Sequence, residues 1–181
     1  ITMAYRILTA DEAASYINHD DNVGFGGFTA AGTPKATTVA LARRAKAEHD
    51  AGRPFKIGLY TGASTNDYID GELSRVNAIK VRTPYQSHPD SRNLINSGEM
   101  HYYDLHLSHL SQYLRYGYMG KMHVGIIEAA DVNENGEISV DALEEAVNGL
   151  VDTTALKEVM EEALEDTLSL SYGETIDLTM A

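Results

Sequence analysis

The chain has 181 residues, 43% apolar and 23% charged, with neither cysteine nor tryptophan; this suits one domain with at most an appendage and excludes thiolate catalysis, cysteine zinc sites and iron–sulfur clusters. A net charge of −13 argues against a nucleic-acid partner, because phosphate binding needs clustered lysine and arginine. No apolar run approaches the roughly 20 residues that span a bilayer and no signal-peptide pattern opens the chain, so a cytoplasmic protein with no membrane partner is expected.

In chain order, Thr9 to Ile17 is predicted as a first helix. Thr9 is its N-cap, Glu12 the capping-box partner, and Ala10, Ala13, Ala14 and Ile17 its apolar stripe. Asn22 to Phe28 is a short apolar run broken by Gly24, Gly26 and Gly27, which predicts a strand running into a glycine loop. Between Pro34 and Glu48, Val39, Ala40, Ala42 and Arg43 recur at helical spacing, and Pro34 suits a first helical turn. Phe55 to Thr61, Ala78 to Arg82 and Val124 to Glu128 read as further strands, the last set off by Gly120-Lys121. Strands separated by helices predict an α/β domain with an open, mainly parallel sheet and flanking helices.

The composition changes near Ile138. Residues 1–138 carry 16 acids against 13 lysines and arginines, a net −3, with all seven histidines and all three phenylalanines. Residues 139–181 carry 11 acids and Lys157 alone, a net −10. Two segments with these boundaries are therefore expected. In the second, Val140, Leu143, Val147 and Leu150 share one helical face. Leu156, Val159, Met160, Ala163, Leu164 and Leu168 make the stripe of another helix, with Thr154 as its N-cap. The prediction is an acidic helical C-terminal tail.

The stretch Gly24-Phe25-Gly26-Gly27-Phe28-Thr29 follows a strand and precedes a helix, a place where glycines allow close backbone approach and the helix start offers N–H groups to an anion. It lacks the final glycine of the dinucleotide-binding fingerprint and the lysine ending of a P-loop. Further motifs give it context. GFGGFTAAGTPK (Gly24 to Lys35), LYTGAST (Leu59 to Thr65), Asp70-Gly71, RTPYQS (Arg82 to Ser87), RNLIN (Arg92 to Asn96), DLHLS (Asp104 to Ser108) and RYGYMG (Arg115 to Gly120) keep one order and spacing. From about Ile7 to Ile138 the chain resembles the N-terminal half of the acetyl-CoA hydrolase/transferase family, which includes the succinyl-CoA:acetate CoA-transferases.

The resemblance implies a CoA-transferase-like half: one of two related α/β halves with the active site between them. In that family a glutamate carboxylate attacks the acyl-CoA, and acyl group and CoA exchange through mixed-anhydride and glutamyl-CoA thioester states, with backbone N–H groups stabilising the oxyanions. It implies acyl-CoA and a small carboxylic acid as substrates, with no cofactor beyond the CoA thioester itself. Carried over by motif, Gly26, Gly27 and Phe28 shape the acyl and thioester region, and Ser64 and Ser87 are polar residues lining the site. Family members usually read GFTPAGYPK where Phe28 to Lys35 here read FTAAGTPK, so Ala30 stands for a proline and Thr33 for an aromatic residue. The family's catalytic glutamate belongs to the C-terminal half, which has no recognisable counterpart here. The catalytic residue is thus unassigned, and a second half-domain or homo-oligomer is the expected partner. The alternative is a non-catalytic binding or regulatory module, or a fragment, that keeps the fold.

Other constellations are weaker. Asp131, Asn133, Asn135, Gly136 and Ile138 match the start of an EF-hand loop, but position twelve is Ala142 rather than a bidentate glutamate, and the same residues suit a turn between two strands. His106 and His109 could share a helix face, without a third zinc ligand at a telling distance. No metal is expected. Arg82, Arg92 and Arg115 have the chemistry of carboxylate clamps and equally of structural ion-pair partners. Tyr113, Tyr116 and Tyr118 suggest a half-buried surface. Glu174, after Gly173, is a conceivable stand-in nucleophile within an acidic, solvated tail.

Overall fold

The computed structural model describes residues 5–63, 65–129, 131–133, 135, 136, 138 and 139. In chain order they form α1 (Ala10–Ser15), β1 (Asn22–Phe25), α2 (Ala36–Asp50), β2 (Ile57–Thr61), a π-helical turn (Asp67–Gly71) continuing into α3 (Glu72–Arg75), and β3 (Ile79–Thr83). Then come α4 (Pro89–Asn96), β4 (His101–Tyr102), α5 (Leu107–Arg115), β5 (Val124–Ile126), β6 (Asp131–Val132) and β7 (Ile138–Ser139). The first five strands make one sheet in the order β4-β3-β2-β1-β5, and every neighbouring pair is parallel. Parallel neighbours need crossovers, and the helices supply them. β6 and β7 pair separately as an antiparallel hairpin.

The α/β architecture is the one the strand and helix pattern predicts; β1, β2 and β5 lie within the predicted runs, and β3 ends one residue beyond its run, at Thr83. Strand β4 has two residues, both polar or amphipathic, and carries no apolar run to announce it. Helix α4 buries only Ser91 fully, with Leu94 and Ile95 packed at the core's margin, so its apolar stripe is too short to read. The predicted tail helices and Glu174 lie outside the described residues.

Local chemistry sets the helix starts. Glu12 N–H donates to Thr9 Oγ1 at 3.2 Å and Thr9 N–H donates to Glu12 Oε2 at 2.8 Å, the reciprocal cap expected for α1. The bond from Thr9 N–H, with a second from the Thr9 hydroxyl to Glu12 Oε2 at 2.8 Å, holds the Glu12 carboxyl below the usual glutamate range. Strand β2, at the centre of the sheet, is buried along its whole length, as a strand covered on both faces must be. Its Ile57 and Leu59 pack with Val23, Phe25, Ile79 and Ile126 and with Leu41, Ala45, Ile69 and Leu73 from the helical layer. Each large side chain so buried contributes about 1.5–3 kcal/mol. No helix among the described residues is long and apolar enough to cross a membrane.

Polar side chains close the amino ends of the strands. Asn22 Nδ2 donates to the Lys121 and Met119 carbonyls at 3.0 and 3.3 Å, and Asn22 N–H donates to His123 Nδ1 at 2.9 Å. Lys56 N–H donates to His19 Nδ1 at 3.0 Å, and Lys80 Nζ donates to Asp20 O at 2.8 Å and Asp20 Oδ1 at 3.0 Å. This edge of the sheet is tied by its own residues.

Candidate active site at the carboxyl edge of the sheet

Because the sheet is parallel, all five strands deliver their carboxyl ends to one edge. From β1 the chain steps outward through β2, β3 and β4, then returns to place β5 on the other side of β1. The order reverses between β1 and β5, and in open α/β sheets the crevice at such a switch point is where ligands bind.

The glycine loop leaves β1 at this point. Gly26 N–H donates to the Ile126 carbonyl at 2.8 Å, and a Cβ on Gly26 would stand 2.9 Å from Ile127 Cγ2, so the loop runs tight against the end of β5. Gly27 has φ +113°, and a Cβ there would meet the Ala31 and Gly32 carbonyl oxygens at 2.9 Å each. A side chain is excluded on both counts. Phe28 and Ala31 exchange backbone hydrogen bonds, both of 2.9 Å. That closes the loop into a small tip and leaves the Phe28 ring 42% exposed.

The loop after β2 lies beside it. Thr29 N–H donates to the Ala63 carbonyl at 3.0 Å, and Asn66 Nδ2 donates to Thr29 O at 2.9 Å and to Thr33 Oγ1 at 2.7 Å. Ser87 Oγ, from the loop after β3, donates to Thr65 Oγ1 at 3.1 Å, and Arg92 Nη2 donates to the Ser87 carbonyl at 3.1 Å. Three successive loops are thereby joined. Gly26, Gly27, Phe28 and Ser87 all stand at this edge; Ser64 lies outside the described residues, between Ala63 and Thr65.

Beneath the loops, Arg82 Nε and Nη2 donate to the two Asp70 oxygens at 2.7 and 3.3 Å, and both side chains are fully buried. Arg82 Nη1 also donates to the Thr83 carbonyl at 2.9 Å. Arg82 is therefore a structural cation and not a ligand clamp. At the switch point, Lys35 Nζ, just before α2, donates to Glu128 Oε1 and Oε2 at 3.0 and 3.2 Å. That pair spans 93 residues and carries no local signal. Asn66 also escaped the sequence reading, although its side chain caps the π-helical turn by accepting from Ile69 N–H at 3.1 Å, and an asparagine before Asp67 fits that role.

Burial pushes the Tyr60 hydroxyl up, with Tyr103 adding to it. Burial, then Asp104, does the same for Tyr102. Tyr102 Oη donates to the Pro84 carbonyl at 3.0 Å. Both phenols are protonated at neutral pH and are donors there, not bases. The His106 and His109 rings stand 5.3 Å apart along the start of α5, and among the described residues no group of three histidine, aspartate or glutamate side chains could hold a metal ion. Asp131 and Ile138 belong to paired strands, and Gly136 N–H donates to the Asn133 carbonyl at 2.9 Å between them. Of the tyrosine group, Tyr116 and Tyr118 are 65% and 71% exposed.

Comparison with known proteins places the chain as a whole. Residues 3–157 match the family model of the acetyl-CoA hydrolase/transferase N-terminal domain, running past the change in composition near Ile138. The chain is 44% identical over 131 residues to propanoyl-CoA:succinate CoA transferase of Escherichia coli, covering 72% of this chain and 27% of that one. It is 41% identical over 133 residues to succinyl-CoA:acetate CoA-transferase of Clostridium kluyveri, covering 74% and 24%. With acetyl-CoA hydrolase of Schizosaccharomyces pombe the identity is 34%, over 68% of this chain and 25% of that one. The chain thus spans about a quarter of the length of these curated relatives. Among solved structures, RipA from Yersinia pestis superposes with a TM-score of 0.53 at 21% identity, over 70% of this chain and 29% of that one, which bears on the fold alone. On the strength of the family match and these identities, the chain belongs to the acetyl-CoA hydrolase/transferase N-terminal domain family.

Proposed function

We propose that the chain supplies the acyl-CoA-facing part of a CoA-transferase or acyl-CoA hydrolase site that moves CoA between small carboxylic acids in the cytoplasm. Gly26, Gly27, Phe28, Ser64 and Ser87 line that site. The observation that carries the reading is the tight seating of the glycine loop at the switch point, with Gly26 against the end of β5 and Gly27 in a conformation that excludes a side chain.

The nucleophilic carboxylate comes from a second half-domain. It attacks the thioester carbonyl carbon and the CoA thiolate leaves, giving a mixed anhydride. The thiolate then returns to the carbonyl on the glutamate side, freeing the first acid and leaving a glutamyl-CoA thioester for the second acid to attack. On this reading the chemistry needs no cofactor beyond the CoA thioester itself.

A second reading, a non-catalytic binding or regulatory module, draws on one observation: both oxygens of Glu128, the carboxylate at the switch point, are already engaged by Lys35. One experiment separates the two. Succinyl-CoA and isotopic acetate are incubated with the purified chain, and the intact mass of the protein is read in the same sample. The chain alone is expected to bind succinyl-CoA without label exchange or a CoA-sized adduct, and exchange is expected once a glutamate-bearing C-terminal half is added. A folded chain that neither binds succinyl-CoA nor supports exchange with that half overturns the proposal. Exchange and an adduct from the chain alone would put the nucleophile within these residues and make Glu174 the first position to map.

A further inference from the structure

Thr29, at the tip of the glycine loop, has φ +52°, a left-handed conformation in which a β-branched residue is an outlier. Such residues persist where their surroundings over-determine them, and they gather where geometry matters to function. Beside the Ala63 carbonyl, which accepts from Thr29 N–H at 3.0 Å, one side chain bonds directly to this turn. Asn66 Nδ2 holds Thr29 O at 2.9 Å and Thr33 Oγ1 at 2.7 Å, and Thr33 Oγ1 itself donates to Thr29 O at 3.3 Å. Thr33 is fully buried.

Asn66 is in turn held rigidly. Its Oδ1 accepts from Ile69 N–H at 3.1 Å, its N–H donates to Asp70 Oδ2 at 3.3 Å, and its carbonyl accepts from Asp70 N–H at 2.9 Å. Ile69 N–H can only donate and the Thr29 carbonyl can only accept, so the amide has one consistent orientation. Asp70 is fixed by buried Arg82. A continuous polar chain therefore runs from the end of β3, through Asp70 and Asn66, to the tip of the glycine loop.

We propose that Asn66 is a positioning residue that clamps Thr29 in its left-handed conformation and so sets where Phe28 and the Gly26–Gly27 backbone stand at the switch-point crevice. Its bearing on acyl-CoA rests on the function proposed above; the clamp itself does not. Asn66→Asp keeps the cap on Ile69 but replaces the donor to Thr29 O with a carboxylate oxygen.

The test uses the full chain, in which Phe28→Trp introduces a single tryptophan because the sequence has none. Adding Asn66→Asp is expected to lower the tryptophan anisotropy and to speed amide exchange in residues 27–33 about tenfold, the worth of roughly one hydrogen bond, with residues 57–61 unchanged. In a Thr29→Asn background, where the side chain tolerates the left-handed conformation, Asn66→Asp is expected to have a clearly smaller effect. A merely structural role would not show that dependence. If Asn66→Asp fails to fold, Thr33→Val, which removes one acceptor of the clamp, is expected to show the same changes more weakly. Unchanged anisotropy and exchange, or equal effects in both Thr29 backgrounds, overturn the clamp. Acetyl-CoA is then titrated against the tryptophan emission: a clamp that reads as expected with no response to acetyl-CoA leaves the positioning role standing and defeats the acyl-CoA reading instead.

Discussion

The two edges of the parallel sheet are built from different chemistry. At the amino edge, Asn22, His123, His19, Lys56, Asp20 and Lys80 spend their donors and acceptors on one another and on nearby backbone. At the carboxyl edge, an aromatic ring stands exposed after each of four strands: Phe28 after β1, Tyr68 after β2, Tyr85 after β3 and Tyr103 after β4, at 42%, 47%, 54% and 55%. The named amino-edge groups bond to one another and to backbone, whereas the carboxyl edge presents a row of aromatic rings. What secures the carboxyl edge is internal: the buried Asp70–Arg82 pair below and the Asn66 clamp above it. The lesson is a division of labour in which the edge that exposes aromatic surface is held from underneath.

The sharpest way to break this comparison is to remove the internal anchor. Arg82→Met leaves the Asp70 carboxylate buried and unpaired and is expected to cost about 3–5 kcal/mol, read as a fall in the urea midpoint. A loss below about 1 kcal/mol would mean that water or another cation already serves Asp70, and that the carboxyl-edge loops are not anchored as described. Gly27→Ala comes next, since φ +113° and two carbonyl oxygens at 2.9 Å make it strained by about 1–3 kcal/mol. Its stability loss should be accompanied by a larger fractional loss of succinyl-CoA binding, whereas amino-edge variants should lose stability alone.

How far each edge could be read in the sequence follows the same division. The strands were legible where apolar runs mark them, at Asn22 to Phe25, Ile57 to Thr61, Ile79 to Thr83 and Val124 to Ile126, because burial on both faces demands such runs. The α1 cap was legible because Thr9 and Glu12 interact across one turn. The glycine loop was legible as a motif, but its geometry was not. Thr29 and Asn66 are 37 residues apart, Lys35 and Glu128 are 93 apart, and Asn22 and Lys121 are 99 apart. Each partner alone is an ordinary polar residue, and only the strand order brings the pairs together. Arg82 was legible as a cation whose role its sequence context left open; burial against Asp70 decides it.

Asn22→Ala probes the amino edge. It removes the donor to the Lys121 and Met119 carbonyls while leaving the backbone bonds between Asn22 and His123 in place, and a loss of about 1 kcal/mol is expected in the urea midpoint. Succinyl-CoA affinity should not change. An affinity loss in this variant as large as that in Gly27→Ala would show that the two edges are mechanically coupled, and the separation drawn above would fail.

The smallest effect is a charge at the same edge, and its sign can be worked through. The hydrogen bond from Lys80 holds the Asp20 carboxyl below its ordinary value of 3.8. A depressed carboxyl binds its proton more weakly in the folded state than in the unfolded one, so the pair contributes stability above the unfolded value and loses it as pH falls through the folded one. Asp20 is 65% exposed, so solvent screening keeps that contribution below about 0.5 kcal/mol. Urea midpoints of the wild type and of Asp20→Asn should therefore differ slightly at neutral pH and converge below the range of ordinary carboxyls, and added salt should shrink the neutral-pH difference. No difference at neutral pH would mean that the Lys80 bond to the Asp20 backbone carbonyl, at 2.8 Å, which Asp20→Asn keeps, carries the contact. The edge would then be tied by backbone geometry rather than by charge.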